Sequence, residues 1–282
     1  MMRLPVLLLF IVSSSSYGQF QKTEMTFVKY LIDKKQFNDA ILVLEQKLAV
    51  SPKDDSLNYL LGKVYYNLQN LPQANKYLSL VSSNYPRLYQ EGVFLASFNS
   101  AYMGQLKQAQ TALVNYHPSI VPYPFLKDFQ LAGLALLSND FHRFDSLKTF
   151  FTKNNQVILD QQEQFLVYRV QLEKNKQKSP FKAGALSALV PGLGRVYAGK
   201  KATGIYSLLV AGLLGAQAYE GYRKDGVESV RFILYSSLFT AFYVGNIWGS
   251  ALSVKMIKNE RDEAIHKQIL LDLHIPLRTL FR

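Results

Sequence analysis

The residues whose types come nearest to chemistry lie in the stretch PGLGRVYAGKK, Pro191 to Lys201. Gly194, four further residues, Gly199 and Lys200 stand one residue short of a glycine-rich phosphate loop, in which backbone amides cradle phosphates and a Ser or Thr after the Lys holds magnesium. Lys201 occupies that hydroxyl position, no apolar strand ending in a magnesium-binding Asp precedes it, and a long apolar segment comes next. The stretch is therefore expected to be structural. Pro191, Gly192 and Gly194 break a short apolar helix, AGALSALV, and Tyr197 with Lys200 and Lys201 marks where the next helix enters lipid. Elsewhere His266 and His274 are eight residues apart without a carboxylate set, and His117 and His142 stand alone. No metal, cofactor, catalytic triad or paired-carboxylate cleft is expected, and no enzymatic activity.

With no cysteine, disulfides, thiolate sites and lipid attachment through an N-terminal Cys are excluded. The formal charge of +12 gathers around apolar segments rather than in an arginine-rich or aromatic-interleaved stripe, which points to a membrane surface and away from nucleic acid. At the N-terminus, Arg3, the apolar LPVLLLFIV and the small polar SSSSYG predict a signal peptide over residues 1–18, either cleaved near Gly18 or kept as an anchor. Both versions export the domain behind it.

Between residues 19 and 175 the chain repeats itself. Ala40 and Ala74 are 34 apart, as are Pro52 and Pro86, and Leu44 pairs with Leu78 at the same offset. Leu61, Gly62 and Tyr65 take the early positions of a helix pair. The small residues let two antiparallel helices approach, Tyr65 fills the space between them, and each proline is expected to end a second helix. A third unit carries Ala101, Leu106, Ala109, Leu113 and Tyr116. A fourth, with Leu131, Ala132 and Leu136, places Phe144 where a small residue belongs. A last helix is expected in QVILDQQEQFLVYRVQLEKNK, with Ile158, Phe165, Leu166, Val170 and Leu172 partly at helical spacing.

This pattern resembles the tetratricopeptide repeat, over roughly residues 22 to 155. The resemblance implies a helical solenoid whose first helices line a concave face that binds a protein or peptide. Asn58, Lys63, Asn67, Phe98, Asn99 and Tyr102 are the candidates on that face. The Pro-rich Tyr116 to Phe125 either covers the groove or merely links units.

After a linker at 176–182 the solvent changes. No charged residue falls between Ala202 and Tyr219 or between Phe232 and Val254, stretches close to the roughly 20 residues that cross a bilayer as a helix. A membrane domain is expected at 183–255: a short or re-entrant segment at 183–198, then spans at 202–222 and 231–254 forming a hairpin. Gly245 and Gly249, four apart, would let another helix approach, within the hairpin or in a homo-oligomer, and Asn246 would add an interhelical hydrogen bond. The stretch around Pro191, Gly192, Gly194, Tyr197, Gly199, Lys200 and Gly204 resembles small bacterial two-transmembrane modules with a Pro-Gly-Leu-Gly-x-x-Tyr-x-Gly-Lys signature, which implies a membrane hairpin and no activity. Arg195 departs from that pattern.

Two crossings with exported repeats would leave Lys200, Lys201, Lys255 and Lys258 outside, against the positive-inside tendency, whereas a third crossing at 183–198 or unexported repeats would satisfy it. Residues 256–282 read as an amphipathic tail, with Ile265, Ile269 and Leu273 four apart until Pro276. The expectation is an all-α protein, a tetratricopeptide-like solenoid followed by a transmembrane hairpin. It would act as a non-catalytic adaptor at a bacterial membrane, the inner one, with the repeats in the periplasm. The other reading is an accessory subunit of a membrane enzyme or transporter.

Overall fold

The computed structural model describes residues 25–118, 122–152, 156–176 and 178–281, and all secondary structure among them is helical. The expected signal peptide lies outside the described residues. The chain divides into two compact units, one of residues 1–162 with 270–282 and one of residues 163–269.

The first unit is a run of helix pairs. Helix α1 spans residues 25–33 and pairs with α2 (Phe37–Val50). Helices α3 (Asp55–Asn67) and α4 (Leu71–Leu78) come next, then α5 (Pro86–Tyr102) and α6 (Leu106–Val114), then α7 (Tyr123–Leu137) and α8 (Phe141–Leu147). Short polar side chains start several of them: Asp54 accepts from the amides of Ser56 and Leu57, Asn70 from that of Gln73, and Asp140 from that of Arg143.

The turn inside each pair is the same device four times. Lys35, Gln69, Gly104 and Asn139 all have positive φ, between 55° and 77°. Each donates its amide three residues back, to Ile32, Tyr66, Ala101 and Leu136. The following residue donates five back, to Leu31, Tyr65, Ser100 and Ala135. These are the two bonds of a Schellman cap, which satisfy carbonyls that a helix end leaves free. The fourth pair, irregular in sequence, is therefore built like the others.

Its irregular residue fits as well. Ala40, Ala74, Ala109 and Phe144 occupy equivalent places on the second helices, and all four are fully buried. Gly62 has the expected role, because a Cβ there would sit 2.7 Å from Cγ of Leu78 on the paired helix. Tyr65 stacks on Tyr77 at 5.5 Å and its hydroxyl donates to Glu45 at 3.0 Å. Gly62→Val forces α3 and α4 apart and is expected to cost about 1–3 kcal/mol as an overpacked core. Thermal unfolding of the full chain in detergent checks it, and an unchanged first transition would contradict the packing.

Pro86 does not end a second helix. It is the first residue of α5, where its missing amide is no loss and its fixed φ favours the helix. Helix α9 (Gln156–Lys176) matches the expected last helix. Along it Ile158, Phe165 and Leu172 are buried, whereas Leu166 and Val170 are exposed, since their positions fall on its other face.

In the second unit α10 (Pro180–Leu189) and α11 (Leu193–Ala198) precede α12 (Lys201–Asp225), and α13 (Val230–Leu280) runs through it and on into the first. At 1.5 Å per residue, α10 and α11 reach only about 15 and 9 Å, too short for a hydrocarbon core of about 30 Å. Neither short helix alone therefore spans it. Nor does Pro276 end the tail, because α13 continues past it to Leu280.

Candidate functional site

Two places collect the residues of interest, one in each unit. In the first, the helical segment 270–281 lies against the first helices of the repeats. Leu273, Leu277 and Phe281, spaced by four, are almost wholly buried, which is the stripe an amphipathic helix presents. Leu273 fits over Gly133 of α7, where an added Cβ would lie 2.7 Å from its Cδ2. His274 stacks on Phe98 at 4.9 Å and is hydrogen-bonded through Nε2 to the Tyr66 hydroxyl. Phe281 meets Phe94 at 6.1 Å and Tyr123 at 6.3 Å. Lys63 donates from Nζ to the Phe281 carbonyl at 2.9 Å, so a cation closes the C-terminal end of the helix, where free carbonyls favour positive charge.

Of the six residues expected on this face, two touch the seated segment, Lys63 and Phe98. Asn58 is buried and donates to the carbonyls of Pro52 and Asp54. Asn99 is buried too, and its Nδ2 donates to Asn75 at 2.9 Å, joining α5 to α4. Asn58 thus fastens the start of its own helix, and Asn99 holds two helices together. Asn67 and Tyr102 are exposed. The sequence reading missed Tyr66, Phe94 and Gly133, whose lining role depends on which first-helix face the superhelix turns inward. The Pro-rich connection does contribute: Tyr116 packs edge-on to Phe94 at 5.7 Å and Tyr123 stacks with it at 6.0 Å.

Removal from water sets the protonation of this face. Burial is the main cause that lowers the Lys63 ammonium below its ordinary range, partly opposed by the charge of Glu91. Burial likewise pushes the Tyr66 phenol up to about 12. Tyr59, which donates to Glu91, is raised by burial and then by that carboxylate. Glu91 also accepts from Arg87 at 3.1 Å.

The His274 imidazole is depressed, first by burial and then by the Arg278 charge. The Tyr66 hydroxyl and the neutral ring share one proton-bearing contact, whose donor is set by the tautomer. A depressed imidazole favours the seated state only while neutral. The contact is thus at full strength above about 6.5, the ordinary imidazole value, and weakens as pH falls from there towards the lowered value. Hydrogen exchange of residues 273–280 is expected to quicken relative to the remaining helices between pH 7.5 and 5.5, and the same ratio in His274→Phe to stay flat. A ratio that tracks pH equally in both proteins would contradict this.

The second place is the glycine-rich stretch. Gly192 and Gly199 have φ of +89° and +110° and bracket α11, a conformation that disfavours any side chain. A Cβ on Gly192 would meet the Gly204 carbonyl oxygen at 2.0 Å, and one on Gly194 the Ala183 oxygen at 1.9 Å. The Gly194 amide donates to Ser187 Oγ at 2.9 Å, and Ser187 donates to Ser250 at 2.7 Å. Tyr197 accepts from the Ser179 amide at 3.2 Å. The glycines therefore let backbones of α10, α11 and α12 touch, and the space a phosphate would need is filled by protein.

The glycines of the long helices have different surroundings within this chain. Gly245 faces open space and Gly249 lies under the Arg195 guanidinium, 3.0 Å from an added Cβ. The close approaches of α12 and α13 are at Gly215 on Phe239 and at Gly221 on Phe232. Asn246 is buried, and neither atom of its amide has a hydrogen-bond partner, so it supplies no interhelical bond.

Helices α12 and α13 are both long and apolar enough to cross a membrane, with 22% and 6% of their apolar windows buried. Ile205, Leu209, Leu213, Leu234 and Trp248 are among the exposed side chains. No curated protein and no solved structure matches this sequence. The family model described as tetratricopeptide repeat matches residues 31–91, which cover α2 and the α3–α4 pair. That match and the four pairs closed by one turn geometry make the first unit a tetratricopeptide-like helical solenoid, and tetratricopeptide repeats generally hold protein partners.

Proposed function

We propose that the chain is a membrane-anchored, non-catalytic adaptor of the bacterial cell envelope, its repeats binding a helical segment of a protein partner while α12 and α13 cross the bilayer as a hairpin. The observation that carries this is the exposure of apolar side chains along both long helices, a surface that water disfavours and lipid accepts. The repeats and residues 270–281 pack in one unit, so both belong on one side of the membrane, as an even number of crossings requires. The N-terminal sequence supports export and so a periplasmic placement from the inner membrane. Lys200, Lys201, Lys255 and Lys258 then flank the hairpin on that side, against the positive-inside tendency.

The absence of native thiols makes sidedness measurable. In spheroplasts, Asn67→Cys and Glu260→Cys are both expected to react with an impermeant maleimide. Reaction of both only after lysis would place the repeats in the cytoplasm, and reaction of one alone would overturn the hairpin. The adaptor role is tested by capture from detergent-solubilised membranes with the intact chain and with Phe98→Asp. Partners lost from the variant support it; identical captures sink it.

A further inference from the structure

The repeat face is already occupied, and the occupant reveals what it recognises. Leu273 over Gly133, Phe281 between Phe94 and Tyr123, and Lys63 on a terminal helix carbonyl are contacts that a helix of another protein could make equally well. They read a pattern: apolar residues four apart, an aromatic at the last turn, and a helix end.

The resident segment fits that pattern imperfectly. Pro276 lies inside the helix and has no amide to donate, so one helical hydrogen bond of the last turns is missing. What favours the segment is its covalent attachment, which keeps its effective concentration high without strong intrinsic affinity.

We propose that residues 270–281 are a displaceable occupant of the repeat groove, and that the partner this groove takes is an amphipathic helix with the same four-residue apolar stripe and an aromatic last turn. The proposal rests on the adaptor reading and adds its regulation: the chain holds its own binding face closed until a better-formed helix replaces the tail.

The probe is a fluorescent peptide of residues 265–281 carrying Pro276→Ala, titrated into the full-length chain in detergent. Wild type is compared with two opened variants, Leu277→Asp and Phe281→Ala, each first checked for unchanged helix content by circular dichroism. If the tail is seated in about nine molecules of ten or more, the opened variants bind the peptide about 10-fold tighter or better. Adding Gly133→Phe to either should abolish that binding by filling the Leu273 notch.

Equal affinity in wild type and both opened variants overturns the self-occupancy while leaving the adaptor reading intact. Absence of binding in all three overturns both. Binding indifferent to Gly133→Phe places the peptide elsewhere and overturns the proposal. So does a wild-type dimer in which the tail of one copy cross-links to the groove of another, since the occupant would then be a second copy.

Discussion

Gly194→Val is expected to unfold the second unit, lowering its thermal transition in detergent by the equivalent of about 3 kcal/mol or more. The reason is where the new atoms must go. A Cβ at this position would lie 1.9 Å from the Ala183 oxygen, 2.6 Å from Ser187 Oγ and 2.7 Å from the Ala183 carbonyl carbon. Two of those atoms are backbone and cannot swing aside as the end of a side chain can. Moving α11 away would also stretch the bond from the Gly194 amide to Ser187 and disturb the one from Ser187 to Ser250, which are buried and have no water to replace them. Gly245→Val is the control, because nothing lies within 4 Å of its Cβ, and it should leave the transition unmoved. Similar transitions for Gly194→Val and Gly245→Val would show that the close approach is not what holds the unit.

Leu273→Asp is expected to free the segment 270–281 from the repeats. A Leu-to-small truncation in a core costs about 2–5 kcal/mol, and a carboxylate in an apolar notch costs further. The repeats can nevertheless avoid that cost by letting the segment go, so the loss is capped at the free energy of seating. Global stability of the repeats should fall less than a core substitution such as Leu61→Asp would lower it. Hydrogen exchange of residues 273–280 should meanwhile quicken by about 100-fold, corresponding to about 2.7 kcal/mol. Protection of those amides equal to the wild type would show that Leu273 does not seat the segment.

The repeats were legible because their signals are local. Gly62, Ala74 and Leu78 mark a helix pair through spacing alone, and the structure puts Gly62 against Leu78 as that spacing implies. The charge-free stretches were legible for the same reason, and α12 and α13 contain them. The turns were not, since Lys35, Gln69 and Asn139 adopt a conformation that sequence usually signals with glycine. The glycines of the Pro191 to Gly204 stretch read as helix breakers, but their second role, contact between backbones distant in sequence, needs the fold. Gly245 and Gly249 show the converse: their spacing suits a helix contact, but spacing does not say which helix, and within the hairpin the contacts fall at Gly215 and Gly221.

The occupied groove was the least legible feature. His274 read as an ordinary histidine and Pro276 as a terminator, because nothing within residues 265–281 says that Gly133, more than a hundred residues upstream, offers the notch for Leu273. Lys63 and Phe98 were found through the general rule that first helices face inward. Asn58 and Asn99 obeyed that rule in sequence only, because polar side chains that fasten a helix start or bridge two helices and those that await a ligand share the same residue types.

The recurring left-handed turn has a consequence for how the solenoid can be tuned. Three of its four corners carry a side chain where a bare α-carbon would be more comfortable, and each such corner stores about 1–2 kcal/mol of local tension. Part of that is recoverable by Lys35→Gly, Gln69→Gly or Asn139→Gly, after the greater freedom glycine gives the unfolded chain is subtracted. Units of a stacked array couple chiefly to their neighbours, so relaxing the Lys35 corner, in the one pair with no described contact to the segment 270–281, should stiffen its own pair most.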